Sequence, residues 1–360
     1  MKRTLLQKKL RRGQVQCLTC QRYCHIAPGK VGYCLTRKNI NGTLYALNDG
    51  ILNGPPQVDP IEKKPFYHFL PGTKTLSLGS FGCNFRCRKC LNWWCSWGEP
   101  ATSVLTELAQ EKNPFQAIKS TPQEIVSLCL KLDLPSITFT YNEPTIWLEY
   151  NLKIAKLAKK KGLKTGYITN GAWTKETLAK IGPFLDAANI DFKGFSAKTY
   201  TKLGGFWPGI LEMAKLALKK YGIFLELTTV LIPGVNDVTP ELKKMSAWIV
   251  KNLGPNTPWH ISQYSPQNAP DPNFKKIPSP TKKQLLQAAK IGQRAGLNFV
   301  YIWAPGIGKN GDFFSQGNTR CPQCDTLVVK RDLWEPEILA VDKKNRCTKC
   351  QENLNMVFGI

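Results

Sequence analysis

From about residue 73 onward, short runs of β-branched and aromatic residues alternate with longer segments whose apolar positions recur every three to four residues. The first pattern predicts strands and the second amphipathic helices. Strands are expected over Thr75–Ser80, Ser136–Thr140, Lys164–Ile168, Ala187–Phe192, Ile223–Ile232, Trp259–Gln263 and Asn298–Trp303. Helices are expected over Pro122–Leu132, Thr145–Lys161, Thr174–Ile181, Pro208–Lys220, Pro240–Asn252 and Thr281–Ala295. The stretch "STPQEIV" carries a full start signal, with Thr121 as cap, Pro122 at the first position and Glu124 closing a capping box. Strand–helix alternation of this length builds βαβ units, so the expected class is α/β with a parallel sheet. Six or seven units suit a full or partial parallel (β/α) barrel.

The two ends break the pattern. Residues 1–62 contain turn-rich sequence such as "NDGILNGPPQVDP", and residues 315–360 contain short strand-like pieces, "TLVVKR" and "ILAVDKK". Neither end is large enough to fold on an apolar core alone, and each would gain most from a bound metal. The expected organisation is therefore an N-terminal cysteine-rich module (1–62), a barrel core (63–314) and a C-terminal zinc-ribbon-like module (315–360).

Composition changes the picture in two places. No apolar run approaches the roughly 18 residues of a membrane span, and the start "MKRTLLQKKLRRGQ" lacks the apolar stretch of a secretory leader. The expectation is a cytoplasmic protein with no membrane partner. In a reducing compartment, thirteen cysteines point to metals rather than disulfides. They also sort into groups: Cys17, Cys20, Cys24 and Cys34; Cys83, Cys87, Cys90 and Cys95; Cys321, Cys324, Cys347 and Cys350; with Cys129 alone. The net charge of +25 invites nucleic acid or an acidic protein. The lysines, however, spread over segments that read as outer helix faces, and metal-bound thiolates subtract from the total. Nucleic acid is the less favoured partner.

In "GCNFRCRKCLNWWC" the first three cysteines are spaced by three residues and then two, in a loop directly after the first strand. Three thiolates are one short of closing an iron–sulfur cube or a zinc tetrahedron, which leaves a metal position for a small molecule. Other strands end on polar residues: Glu143 in "TFTYNEPTIWLEY", Thr169 and Asn170 in "YITNG", Asp191 and Lys193 in "IDFKGF", and His260 in "PWHISQY". In a parallel barrel the C-terminal strand ends share one face, where sites form. Each residue has a plain structural reading: a helix cap for Glu143, a surface lysine, a satisfied core histidine. Their recurrence at successive strand ends favours a site.

The cysteine spacing resembles that of the radical S-adenosylmethionine (radical SAM) superfamily. With "DPIEKKPFYHFLPGT", "LIPGVND", the N-terminal "CLTCQRYCHIAPGKVGYC" and the later "CPQC", the chain is similar to the radical SAM member of the AmmeMemoRadiSam group. That group is related to activating enzymes of glycyl-radical enzymes such as pyruvate formate-lyase. The resemblance implies that Cys83, Cys87 and Cys90 hold a [4Fe–4S] cluster whose open iron chelates S-adenosylmethionine. It implies reductive cleavage of the sulfonium, a 5′-deoxyadenosyl radical and hydrogen abstraction from a substrate, with a partner protein as the candidate the activase resemblance suggests. It further implies cofactor contacts by Glu143, Thr169, Asn170, Asp191, Lys193 and His260, and a flavodoxin- or ferredoxin-like electron donor. Two positions depart from the pattern: Lys89 stands where many members carry an aromatic residue beside the adenine, with Phe85 or Trp93 as substitutes, and Ile168 replaces an acidic residue that helps hold a cation.

Cys321–Cys324 and Cys347–Cys350 are two CxxC pairs in zinc-ribbon arrangement, implying a structural Zn²⁺. Cys17, Cys20, Cys24 and Cys34 suit either zinc or an auxiliary cluster, with His25 as a spare ligand. Cys95 and Cys129 read as incidental or core thiols, and His68 either as a residue facing the barrel mouth or as a packed aromatic neighbour. Two alternatives stand beside the radical activase: a radical SAM enzyme that modifies RNA, and a zinc-bound nucleic-acid or scaffold protein without catalysis.

Overall fold

The computed structural model describes residues 1–112, 117–207, 209–304 and 314–359, with the side chains of 314 and 315 excepted. The expected helix start at Pro208 lies outside the described residues. Eight strands form the principal sheet: β1 (Gln57–Pro60), β2 (Lys74–Leu78), β3 (Ser136–Phe139), β4 (Lys164–Thr169), β5 (Ala187–Asp191), β6 (Phe224–Leu231), β7 (Trp259–Gln263) and β8 (Val300–Trp303). Their order is β8-β7-β6-β5-β4-β3-β2-β1. The pairs β2–β3, β3–β4, β6–β7 and β7–β8 are parallel. Helices α1 (Glu99–Ala109), α2 (Pro122–Lys131), α3 (Leu148–Lys160), α4 (Lys175–Ile181), α5 (Ile210–Tyr221), α6 (Thr239–Asn252) and α7 (Lys282–Arg294) lie between the strands in sequence. The α/β class and the parallel sheet expected from alternation are both present. Among the described residues no helix is long and apolar enough to cross a membrane.

Local signals explain most of these boundaries. α2 starts on the capping box of Thr121 and Glu124, and α7 on a second one made by Thr281 and Gln284. Three features differ from the sequence reading. The helix expected from Thr145 begins as a 3₁₀ turn over Pro144–Trp147, because Trp147 (φ −117°) leaves the helical range before α3 begins. Helix α1 is absent from the expected elements, although Ala101, Val104, Leu105 and Leu108 have helical spacing and are buried beside Phe81 and Cys95. Strand β1 lies within the segment assigned to the N-terminal module, yet it joins the principal sheet.

The chain comprises two compact units. The first contains Met1–Val58, Thr75–Ala188 and Gly204–Ile223; the second contains Asp59–Lys74, Asn189–Leu203 and Phe224–Ile360. In the first, two small three-stranded sheets use the N-terminal residues, with Cys17 at the end of the strand Val15–Cys17. In the second, a C-terminal hairpin pairs Leu327–Asp332 with Glu335–Ile338.

The second unit also buries Glu62. Its Oε1 accepts from the Gly72 amide at 2.8 Å, and Oε2 has no hydrogen-bond partner. Burial pushes this carboxyl up to about 7, against the opposing pull of the Gly72 N–H and the Arg331 charge. An acid whose folded pKa is raised contributes stability at low pH and loses it as pH climbs from about 4.5 through about 7. Glu62→Gln is therefore expected to be more stable than wild type at pH 8, by up to about 3 kcal/mol. The gap should shrink at pH 5. Denaturant titrations at both pH values check this, and a gap that does not change with pH would refute it.

Candidate active site

The loop after β2 is shaped by close backbone approaches. Gly82 has φ +97°, and a Cβ there would lie 2.5 Å from Thr36 Cγ2 and 2.8 Å from the Cys34 carbonyl oxygen. Only glycine fits ahead of Cys83. Further along, the Arg86 amide donates to the Gly204 carbonyl at 3.0 Å, and a Cβ on Gly204 (φ +80°) would reach within 2.1 Å of the Arg86 oxygen. The Arg86 guanidinium in turn donates to the carbonyls of Cys83 and Phe85 at 2.8 and 3.1 Å. The loop is thus held by backbone amides, by glycine approaches and by the Arg86 guanidinium.

Cys83, Cys87 and Cys90 face a common field. Burial raises Cys83 well above the ordinary thiol range, and the charges of Cys87, Glu143 and Cys90 add to the rise. A thiol raised in this way, as Cys83 is, stays protonated until a metal displaces the proton. The donor set, three soft thiolates from one loop, fits an iron–sulfur cluster with one iron left open.

Glu143, Thr169 and Asn170 form one network beside these thiols. Glu143 Oε1 accepts from the Thr145 amide at 3.0 Å and from Thr169 Oγ1 at 2.7 Å, and Oε2 accepts from the Asn170 amide at 2.8 Å. Asn170 Nδ2 donates to Asn84 Oδ1 at 2.7 Å, next in sequence to Cys83. Burial pushes the Glu143 carboxyl up, while the Asn170, Thr145 and Thr169 donors pull it back. Oε2 receives one donor here and retains a lone pair for another, which suits a ligand ammonium.

In the second unit, Lys193 pairs with Asp191 just past the end of β5. His260 on β7 is buried, with Nε2 2.6 Å from Glu226 Oε2 and its ring edge-on to Tyr67 at 4.6 Å. Glu226 also accepts from the amides of Tyr67, His68 and Phe69 at 2.8–3.1 Å. His260 therefore has a structural partner that the sequence did not reveal. His68 is buried as well, its Nε2 2.6 Å from the Tyr301 hydroxyl, and burial pushes its pKa down to about 4.

The other cysteines separate clearly. Cys95 is fully buried among Leu47, Ile51, Phe81 and α1, and burial pushes its thiol up to about 11. Cys129 is buried in α2, with its sulfur toward the Leu134 carbonyl at 3.4 Å. Both are core thiols. At the C-terminus the four ligand atoms of Cys321, Cys324, Cys347 and Cys350 lie within 4.8 Å of one another. The Cys321–Cys350 and Cys324–Cys347 sulfurs are 3.4 and 3.7 Å apart. One tetrahedral ion with metal–sulfur bonds near 2.3 Å requires about 3.8 Å between thiolates, so this group fits a single ion. Cys17, Cys20, Cys24 and Cys34 line a common pocket.

Comparison with known proteins bears on the family. The Radical SAM superfamily profile matches residues 78–245. The uncharacterized protein MJ0808 of Methanocaldococcus jannaschii is 34% identical over 361 residues, covering 99% of this chain and 100% of that one. A protein of the same organism carried under the provisional name glycyl-radical enzyme activating enzyme MJ1227 is 27% identical, over 59% of this chain and 82% of its own. Among solved structures, a domain of pyruvate-formate lyase-activating enzyme from Bacteroides vulgatus aligns with TM-score 0.39 at 19% identity, over 46% of this chain and 97% of that domain. The chain belongs to the radical SAM superfamily.

Asn84, Arg37 and Glu226 are functional or buried polar residues that sequence reasoning does not single out. Asn84 lies inside the quoted cysteine motif, and its position alone is the signal that could have found it. Arg37 and Glu226 carry no such signal, because a charged residue inside a strand pattern reads as solvent-facing until its partner is known.

Proposed function

We propose that the protein uses a [4Fe–4S] cluster on Cys83, Cys87 and Cys90 to cleave S-adenosylmethionine reductively, and removes hydrogen from a glycine of a partner protein. The reading is carried by one observation: Glu143, Thr169, Asn170 and Asn84 form a continuous buried network against Cys83. When bound, the cluster and S-adenosylmethionine supply an electron, a bond cleavage at the sulfonium and a carbon radical that takes a hydrogen atom. Glu143 would receive the methionine ammonium on Oε2, with Thr169 and Asn170 holding the carboxylate in place. Asp191 and Lys193 offer a paired acid and base for the carboxylate or ribose. The Nε2 of His260 is committed to Glu226, so its share in binding falls to the other ring nitrogen. Phe85 is fully buried and packs edge-on to Phe206 at 5.0 Å, so an adenine would meet Trp93 more readily. The C-terminal four cysteines are proposed to hold one structural zinc, and a flavodoxin- or ferredoxin-like protein to deliver the electron.

The glycine assignment draws support from the names of the relatives. Its test is isotopic. Protein and RNA fractions from cells grown on α-deuterated glycine are offered separately to the reduced enzyme with S-adenosylmethionine. Deuterium in 5′-deoxyadenosine from the protein fraction, with a glycyl radical signal in that fraction, is the expected result. Deuterium only from RNA would transfer the assignment to RNA modification, and 5′-deoxyadenosine unlabelled from either fraction would sink the glycine substrate.

A further inference from the structure

The N-terminal cysteines occupy a setting that the radical-forming loop does not account for. Cys17, Cys20, Cys24 and Cys34 line one pocket together with Arg37 and Asn84. The four thiols share one electrostatic field. Burial raises Cys20 well above the usual range, and the charges of Cys17, Cys34 and Cys24 add to that rise. Cys17 and Cys24 are raised by burial too, with Cys34 contributing to both. A metal is the ordinary answer to four crowded thiols.

Their spacing distinguishes between metals. Among the described residues no three of these thiols fall within the 4.8 Å span that gathers the C-terminal four. A single zinc draws its thiolates to about 3.8 Å from one another, as the C-terminal sulfurs at 3.4 and 3.7 Å illustrate. Cys83, Cys87 and Cys90 are likewise not gathered to that span. In a cube each cysteine binds a different iron, which holds the thiolates farther apart than one ion does. Neither the N-terminal group nor the radical-forming set has the single-ion gathering of the C-terminal four.

The polar wall adds an independent argument. Arg37 is 1% exposed and Asn84 fully buried, yet Arg37 Nε and Asn84 Nδ2 have no hydrogen-bond partner. The rest of both side chains is committed: Arg37 pairs with Glu149 and donates to the Ile146 carbonyl at 3.0 Å, and Asn84 Oδ1 accepts from Asn170. A buried donor without an acceptor costs about 1–3 kcal/mol, so an acceptor belongs in this pocket. A zinc ion brings none of its own. A cluster brings bridging sulfides, and hydrogen bonds to such sulfurs are a known lever on its potential.

We infer that Cys17, Cys20, Cys24 and Cys34 hold a second [4Fe–4S] cluster, closed by four cysteines, with Arg37 and Asn84 donating to its sulfurs. Full ligation leaves it no iron for S-adenosylmethionine. It lies against the first cluster's loop, since Asn84 belongs to both walls and Gly82 abuts the Cys34 carbonyl.

The test uses the full chain with Cys83→Ala, Cys87→Ala and Cys90→Ala combined, which leaves the N-terminal cysteines intact. After anaerobic reconstitution it should retain about four irons and about four sulfides per chain. On reduction it should show a paramagnetic signal that S-adenosylmethionine does not alter. Adding Cys20→Ser and Cys24→Ser should remove both iron and signal. If that variant is insoluble, Cys324→Ser and Cys350→Ser in the triple background should leave iron and signal in place. Zinc without iron in the triple variant overturns the inference. So does iron that survives loss of Cys20 and Cys24, or iron lost with Cys324 and Cys350.

Discussion

Cys87→Ala is expected to abolish 5′-deoxyadenosine formation from S-adenosylmethionine while the protein stays folded. In the proposed reading Cys87 is the middle ligand of the loop, and its removal would leave only two thiolates to hold the cluster. Changes to groups that merely support a metal ligand cost roughly 10–100-fold, so losing a ligand should cost more than about 100-fold. The loop is anchored through Arg86, Gly82 and Gly204, none of which the Cys87 substitution touches, and this is why the fold should survive. Product quantified anaerobically, with circular dichroism as the control for folding, checks both halves. Cys95→Ala provides the contrast: its sulfur lies in the core among Leu47, Ile51 and Phe81, and turnover should persist. Near-normal product from Cys87→Ala would refute the assignment of the cluster.

Glu226→Gln should destabilise the protein more than any surface substitution. The carboxylate is fully buried, accepts three consecutive amides from Tyr67 to Phe69, and faces His260 Nε2 at 2.6 Å. An amide in its place turns one acceptor into a donor against N–H groups. Leaving a buried donor unsatisfied costs about 1–3 kcal/mol, and more where a charged acceptor is lost, so a drop of roughly 10 °C is expected in a chain of this size. The pH dependence follows from the direction of the shift. Burial alone would raise the Glu226 pKa, but the His260 hydrogen bond and charge, with the His68 charge and the Tyr67 amide, bring it below 4.5. A depressed acid contributes stability above its unfolded pKa and loses it as pH falls through the folded value. Wild type and variant should therefore differ fully at pH 7 and converge below about 4.5. Thermal melts across that range decide the matter, and equal midpoints at pH 7 would show that the carboxylate is not the holding group.

Much of the fold is legible in the sequence because its signals are local. Period-two and period-3.6 patterning places the strands and helices to within a few residues, and the Thr121 capping box lies where the sequence puts it. Helix α1 escapes such a reading although its spacing is present, since "EPATSVLTELA" follows a cysteine-rich loop and lacks a strong cap: Gly98 makes no side-chain capping bond. The Pro144 turn escapes it because Trp147 leaves the helical range before α3 begins, a break that the apolar spacing does not mark.

The candidate site divides along the same line. Cysteine spacing is a property of the chain itself, so the three cysteine groups can be read from residue order alone, and strand ends mark Glu143, Thr169 and Asn170. Which polar atoms share a hydrogen bond depends on strand order, and the sequence does not state it. Glu226 meets His260 only because β6 and β7 are neighbours, and Asn84 meets Asn170 only because the loop after β2 reaches the end of β4. The distances between thiols are likewise tertiary, and among the described residues they gather only the C-terminal four within 4.8 Å. The sequence by itself determined the α/β class, the cysteine groups and the candidate ligands, because periodicity and spacing act over a few residues. The tertiary structure alone decided how buried charges are paired, which thiols converge and which merely fill the core, because burial and pairing arise between segments far apart in the chain.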